Sequence, residues 1–171
     1  MGLRDSFGIG HVVSDRLVAP IVQLDLSIPD NFSFLQDIIH EPGCIYVHFA
    51  PPCGTASRAR FIKRRGRYNP SVLRTDDHPN GLPHLSPLHA AKVAAANLLY
   101  DQTQILCRLC VEHGVLFSIE NPARSFMWQT THMAKFLEEV APIKPIFITA
   151  CTGLPEENTL ALSTTSPCFA I

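Results

Sequence analysis

The chain has 171 residues, a length typical of one domain with a single continuous core. Hydrophobic residues make up 46% of it and charged residues 17%, which excludes a disordered protein. The net charge of −1 excludes a surface that is basic overall. No apolar run approaches the roughly 20 residues of a membrane span, and residues 1–5 lack the apolar segment of a secretory signal. We therefore expect an intracellular protein with no membrane partner, whose six cysteines are thiols.

The first third of the chain predicts two buried strands on either side of a helix. Residues 20–26 form a short apolar run, which is typical of a buried strand. From residue 30 apolar side chains recur at helical spacing, and a Pro-Gly pair at 42–43 ends that helix. Residues 44–50 form a second apolar run, which two prolines stop.

The rest of the chain predicts a long loop followed by alternating helices and strands. Residues 61–85 have no clear period and several breakers, and loops of that length are usually functional or mobile. Ser86 and Pro87 are typical of a helix start, and Gly114 of its end. The remaining predicted elements are a strand at 115–119, a helix at 125–140 and a pair of strands at 146–150 and 160–164.

Alternating strands and helices predict one α/β domain over residues 1–171, with a mostly parallel sheet. In such sheets the chemistry lies beyond the carboxyl ends of the strands. Polar residues follow three of the predicted strands: Asp25, the turn at 51–57, and the sequence Glu120-Asn121-Pro122. If all three strands are parallel, a thiol, a carboxylate and an amide meet at one edge, which is a chemical grouping rather than a packing pattern.

The turn at 51–57 contains the best candidate nucleophile. Cys53 follows two prolines, so its turn is stiff, and the cations after it favour the reactive thiolate. Glu120 ends an apolar strand, where burial would favour the protonated form and let it act as an acid. A lone cysteine is most often only a small buried residue. The two strand-end motifs together favour the catalytic interpretation.

A basic loop at 58–85 begins five residues after Cys53. Residues 58–74 hold seven of the fourteen cations and no acid. A dense run of exposed cations suits contacts with a phosphate backbone, whereas a solvated loop or a nuclear address is the alternative interpretation. The candidate nucleic-acid contacts are Ser57, Arg58, Arg60, Lys63, Arg64, Arg65 and Arg67.

The pattern Pro52-Cys53-x-x-x-Ser57, followed by Glu120-Asn121 at the next strand end, resembles the two signature motifs of DNA cytosine-5 methyltransferases. The stretch from 50 to 60 is similar to divergent, often retroelement-associated members, and the likeness covers roughly residues 7–165. The resemblance implies a Rossmann-type sheet of the SAM-methyltransferase class. It also implies DNA methylation as the activity, DNA as the partner and S-adenosyl-L-methionine (SAM) as the cofactor.

The resemblance also implies a role for each motif residue. The Cys53 thiolate would attack C6 of cytosine, Glu120 would hydrogen-bond and protonate N3, and Asn121 would hold the Glu120 turn. The activated C5 would then take the methyl group. A base inside a duplex cannot reach such a cysteine, so the target must be flipped out or single-stranded. Three residues would contact the cofactor, with the first at its adenine: Asp25, Leu26 and Pro51.

The chain departs from the family pattern in its first residues. The glycines at 7–10 have the wrong position for a cofactor loop, since only ten residues separate Gly10 from Ile21 and one βαβ unit takes about 30. We therefore expect the first strand and the glycine loop to be missing. We also expect no separate target-recognition domain, and residues 154–158 are acidic where a basic or polar segment is usual. The alternative prediction is a catalytically inactive fragment or a nucleic-acid-binding remnant of such an enzyme.

Other kinds of site fit the sequence less well. Ala50 lacks the polar group with which amino-group methyltransferases accept from the amine, and Ala59 stands where a cysteine phosphatase needs arginine. Cys107 and Cys110 lie three apart in the predicted long helix, which is ordinary for a core face, and no second pair follows them. We predict no metal site.

Overall fold

The computed structural model describes residues 25–63, 65–66 and 69–140, together with the backbone of short strands within 7–22 and at 147–149. The helices are α1 (Pro29–His40), α2 (Pro87–His113) and α3 (Thr131–Val140). The strands are β1 (Phe7–Gly8), β2 (His11–Val13), β3 (Arg16–Val18), β4 (Ile21–Val22), β5 (Tyr46–Phe49), β6 (Leu116–Glu120) and β7 (Phe147–Thr149). Short 3-10 turns occur at Arg58–Phe61 and Phe126–Gln129.

A three-stranded parallel sheet in the order β5-β6-β7 forms the centre of the described structure. The long helix α2 connects β5 to β6, and α3 connects β6 to β7. Each connection is a helical crossover, which is what parallel neighbours require. The α/β prediction is therefore confirmed at the level of class.

The predicted strand at 20–26 does not join this sheet. Its described part, β4, pairs antiparallel with β1, and β2 pairs antiparallel with β3. Chain segments that are close in sequence can pair antiparallel through tight turns, whereas parallel pairing needs a long crossover. The prediction that three parallel strands end at one edge is therefore wrong for the strand before Asp25. Residues 9–10 of the glycine-containing segment, and the segments at 154–158 and 160–164, lie outside the described residues.

The helix predictions are confirmed with small changes at the ends. α1 begins with a proline in its first turn. Ser86 is the N-cap of α2, and its Oγ accepts from the His89 amide at 3.4 Å. Gly114 is the C-cap of α2: its φ of 71° is left-handed, and its amide donates to Cys110 O and Val111 O. The predicted helix at 125–140 is a 3-10 turn followed by α3. No described residue between the Arg58–Phe61 turn and α2 is helical or extended.

One face of the sheet carries the core. Side chains alternate across a strand, so Phe49, Phe117 and Ile119 share a face, and all three are buried. They pack in one cluster with residues of α2 and α3, which include Tyr100, Cys107, Cys110 and Phe136. Burial raises the pKa of the Cys107 thiol well above its usual value. The described helices include none that is long and apolar enough to cross a membrane.

Gly114→Ala should lower the free energy of unfolding by about 1 kcal/mol, because a β-carbon disfavours left-handed backbone. Urea denaturation followed by far-UV circular dichroism measures the change. Gly43→Ala is the matched control, since a β-carbon there meets no atom within 4 Å and its φ is not positive. Equal losses in the two variants would contradict this account of the α2 end.

Candidate functional site

The carboxyl ends of β5 and β6 lie side by side. The register pairs Phe49 with Ile119, so the chain leaves β5 next to Glu120. The buried side chain of Asn121 donates from Nδ2 to the Pro51 carbonyl at 2.8 Å, and Pro51 is two residues before Cys53. The structure therefore brings the Cys53 turn and the Glu120-Asn121 turn to the same edge of the sheet.

The turn that carries Cys53 is held from several sides. The Cys53 carbonyl accepts from the amides of Ala56 at 2.9 Å and Ser57 at 2.8 Å, which closes the turn on itself. The hydroxyl of Tyr100 on α2 donates to the Pro52 carbonyl at 2.7 Å. The Phe126 amide donates to the Ala56 carbonyl at 2.9 Å. Cys53 remains half-buried, so a fixed turn presents a thiol that solvent can reach.

Arg74 fixes the same turn from the loop side. Only 1% of this residue is exposed, and its guanidinium donates to Thr55 Oγ1 at 3.0 Å, Pro79 O at 2.7 Å and Asn97 Oδ1 at 2.7 Å. Burial lowers the pKa of Arg74. The sequence showed Arg74 only as one cation of the basic run, whereas in the structure it connects the loop and α2 to the Cys53 turn.

Some cations of the basic loop make contacts within the chain, and others are exposed to solvent. Arg58 pairs with Asp76, donates from Nε to the Arg124 carbonyl at 3.0 Å and lies over the Phe126 ring. Arg60 donates to the carbonyls of Gly54 at 2.6 Å and Ser71 at 2.7 Å. These guanidinium donors are therefore occupied within the chain.

The other predicted phosphate contacts differ from these two arginines. Ser57 Oγ accepts from the Ala59 amide at 3.2 Å and caps the 3-10 turn at Arg58–Phe61. Lys63 and Arg65 are exposed to solvent. Arg64 and Arg67 lie outside the described residues.

A groove adjoins the Cys53 turn. Its volume is about 280 Å³, and its lining comes from the turn and the loop: Gly54, Ser57, Ala59, Arg60, Ile62, Asn69 and Pro70.

The predicted cofactor residues do not form an open pocket. Asp25 is exposed, and its Oδ1 accepts from the amide and hydroxyl of Ser27, which lowers the pKa of the carboxyl. Leu26 is buried, and its carbonyl accepts from Gln102 Nε2 at 2.5 Å. Pro51 is buried, and its carbonyl accepts a hydrogen bond from the Asn121 side chain. The described residues therefore do not fit SAM in the way that the motif pattern implies.

Glu120 has polar neighbours that the sequence analysis missed. The His48 ring places Nε2 3.4 Å from Glu120 Oε2 and Nδ1 2.7 Å from Ser118 Oγ. The Tyr46 hydroxyl lies 2.6 Å from the same Ser118 oxygen. The Glu120 side chain is 34% exposed, so it is less buried than its position after an apolar strand predicts. Alternation along two aligned strands was the signal that could have grouped these residues.

Comparison with known proteins returns no significant match to a family model, to a curated protein or to a solved structure. The family resemblance therefore rests on the Cys53 and Glu120-Asn121 motifs.

Asn121→Ala should lower the free energy of unfolding by about 1–3 kcal/mol, because it leaves the buried Pro51 carbonyl without its donor. Asn31→Ala is the matched control, since Asn31 makes the same kind of bond to the exposed Asp25 carbonyl at 2.8 Å. We expect its loss to be nearer 0.5 kcal/mol in the same urea denaturation assay. A larger loss in Asn31→Ala than in Asn121→Ala would contradict the role of the Asn121 bond.

Asp76→Asn should lower stability at pH 7, and the loss should shrink as the pH falls below 3.8. Hydrogen bonding to Arg58, with a smaller contribution from Gln129, lowers the pKa of Asp76 below its ordinary value of 3.8. The stabilisation is therefore complete above that ordinary value and is lost as the pH falls through the lower pKa of the folded state. Denaturation midpoints of the two proteins over a pH series measure the difference. Asp77→Asn is the control, and a pH-independent difference for Asp76→Asn would exclude this explanation.

Proposed function

We propose that this chain is a DNA cytosine-5 methyltransferase-like domain with a Rossmann-type sheet, which acts on a cytosine held between Cys53 and Glu120. The observation that carries the proposal is the Asn121–Pro51 hydrogen bond, which ties the two strand ends together. A thiol and a carboxyl at adjoining ends of parallel strands can approach the same small ring.

The chemistry that these residues supply is activation of C5. The Cys53 thiolate forms a bond from Sγ to C6, and the C5=C6 pair of electrons moves to make a C4=C5 bond. The electrons of the C4=N3 bond move to N3, which takes the proton of the Glu120 carboxyl. The resulting enamine is nucleophilic at C5. Reversal of these steps, after C5 has taken a proton from water, exchanges the hydrogen at C5.

Access of the base follows from exposure at the sheet edge. Cys53 is half-buried and Glu120 is 34% exposed, so a flipped-out or single-stranded cytosine could reach both. Lys63 and Arg65 are exposed cations, which would contact the flanking phosphates.

The methyl donor in this proposal is SAM, which supplies an electrophilic methyl group for C5 when it is bound. The described residues do not form its pocket, because Leu26 and Pro51 are buried and their carbonyls are occupied. The described residues therefore supply only the activation of the cytosine, which needs Cys53 and Glu120.

A nucleic-acid-binding remnant is the second candidate function. The specific observation in its favour is that Leu26 and Pro51 are buried, whereas Lys63 and Arg65 are exposed. Such a remnant would bind DNA through its loop and would leave the cytosine unchanged.

Exchange of deuterium from C5 of cytosine in a single-stranded oligonucleotide tests the proposal. We expect exchange with the wild-type chain and a loss of about 10²-fold or more in Cys53→Ser and in Glu120→Gln, since each removes a group that the addition requires. Cys44→Ser is the matched control, because Cys44 has similar exposure but lies before β5, at the opposite end of the strand. Mass spectrometry of the recovered oligonucleotide gives the rate.

Titration of SAM in parallel separates the two candidate functions. Exchange together with SAM binding agrees with the methyltransferase proposal. Oligonucleotide binding without exchange supports the remnant, and exchange that survives in Cys53→Ser contradicts the assigned nucleophile.

A further inference from the structure

Four polar residues form a row on the face of the sheet opposite the core. Tyr46 and His48 lie on β5, Ser118 and Glu120 lie on β6, and the register pairs His48 with Ser118. Consecutive atoms of the row are close: Tyr46 Oη to Ser118 Oγ is 2.6 Å, Ser118 Oγ to His48 Nδ1 is 2.7 Å, and His48 Nε2 to Glu120 Oε2 is 3.4 Å. Tyr46 and His48 are largely exposed, whereas Ser118 is buried.

When the His48 ring is neutral and Glu120 is a carboxylate, one arrangement of protons satisfies every atom of this row. The Tyr46 hydroxyl donates to Ser118 Oγ, and the Ser118 hydroxyl donates to His48 Nδ1. The neutral ring then carries its proton on Nε2, which faces the carboxylate of Glu120. The opposite tautomer would place the lone pair of Nε2 against a carboxylate oxygen, which is unfavourable.

We infer that His48 is a positioning residue for Glu120, held by Ser118 as the Nε2–H tautomer so that it orients the Glu120 carboxyl and donates to the carboxylate that remains when N3 takes the proton. The effect on C5 exchange rests on the proposed function. The tautomer and its dependence on Ser118 rest on the distances alone.

The proton balance follows the addition step. When the proton moves from Glu120 to N3, the neutral His48 ring keeps its Nε2–H bond and donates a hydrogen bond to the new carboxylate, which stabilises it. On reversal the same proton returns from N3 to Glu120, so the His48 ring stays neutral throughout.

Nitrogen-15 NMR of the histidine rings tests the tautomer without any substrate. We expect the neutral His48 ring to be the Nε2–H form in the wild-type chain and to lose that preference in Ser118→Ala. A neutral wild-type ring protonated on Nδ1, or an Nε2–H preference that is unchanged in Ser118→Ala, would overturn the inference. Because this measurement uses no DNA, it stands even if the exchange reaction is absent.

Chemical rescue tests this donation to the Glu120 carboxylate. His48→Ala should slow C5 exchange by about 10- to 100-fold, the effect of losing one hydrogen bond to a charged group, and added imidazole should restore much of the rate. If His48→Ala lowered the rate only through poorer packing, imidazole would not restore the rate. His132→Ala is the matched control, since His132 pairs with Asp101 at 2.8 Å between α3 and α2. Its rate should stay within about twofold of the wild-type rate, and imidazole should not change it.

The outcomes separate the two proposals. Exchange that is slowed in His48→Ala and not rescued, although the variant unfolds at the wild-type urea concentration, overturns the donation by His48 to the Glu120 carboxylate. No exchange in the wild-type chain overturns the proposed function and with it the effect on exchange, while the NMR result alone then decides whether Ser118 fixes the ring. If His48→Ala does not fold, His48→Gln takes its place. Its amide keeps a hydrogen-bond donor, and imidazole should not change its exchange rate.

Discussion

The structure of the site depends on one buried hydrogen bond, from Asn121 Nδ2 to the Pro51 carbonyl. Parallel pairing of β5 and β6 brings two chain ends to one edge, but it does not hold the turns that follow. Pro51 has no amide to donate to the sheet, and the Asn121 side chain donates to its carbonyl. This bond ties the Cys53 turn to the residue that follows Glu120.

The remaining contacts support the Cys53 turn from α2 and from the basic loop. Tyr100 and Arg74 both donate into the segment 52–55, and both are buried. Arg58 and Arg60 stabilise the loop itself and use their guanidinium donors within the chain. Among the described residues, a basic run that looks uniform in sequence therefore separates into structural arginines and exposed cations.

Much of this fold was predictable, because its signals are local. Capping by Ser86, the left-handed end at Gly114 and the two apolar strands specify α2, β5 and β6 with little help from distant residues. The edge shared by Cys53 and Glu120 follows from the parallel class. The burial of Leu26 and Arg74 depends on contacts between distant segments, which no local pattern encodes, and an apolar run such as the one at β4 does not specify the strand with which it pairs. His48 was missed because its relation to Glu120 requires the register of two strands.

Cross-linking measures the proximity of the two turns most directly. In a chain whose Cys44, Cys151 and Cys168 are replaced by serine, Glu120→Cys would place a second accessible thiol at the sheet edge beside Cys53. Dibromobimane, a short reagent that fluoresces strongly after both of its ends react, should then form a bridge within one molecule, which peptide mapping would assign to positions 53 and 120. Separate labelling of the two cysteines, with no bridged peptide in a folded protein, would contradict the account.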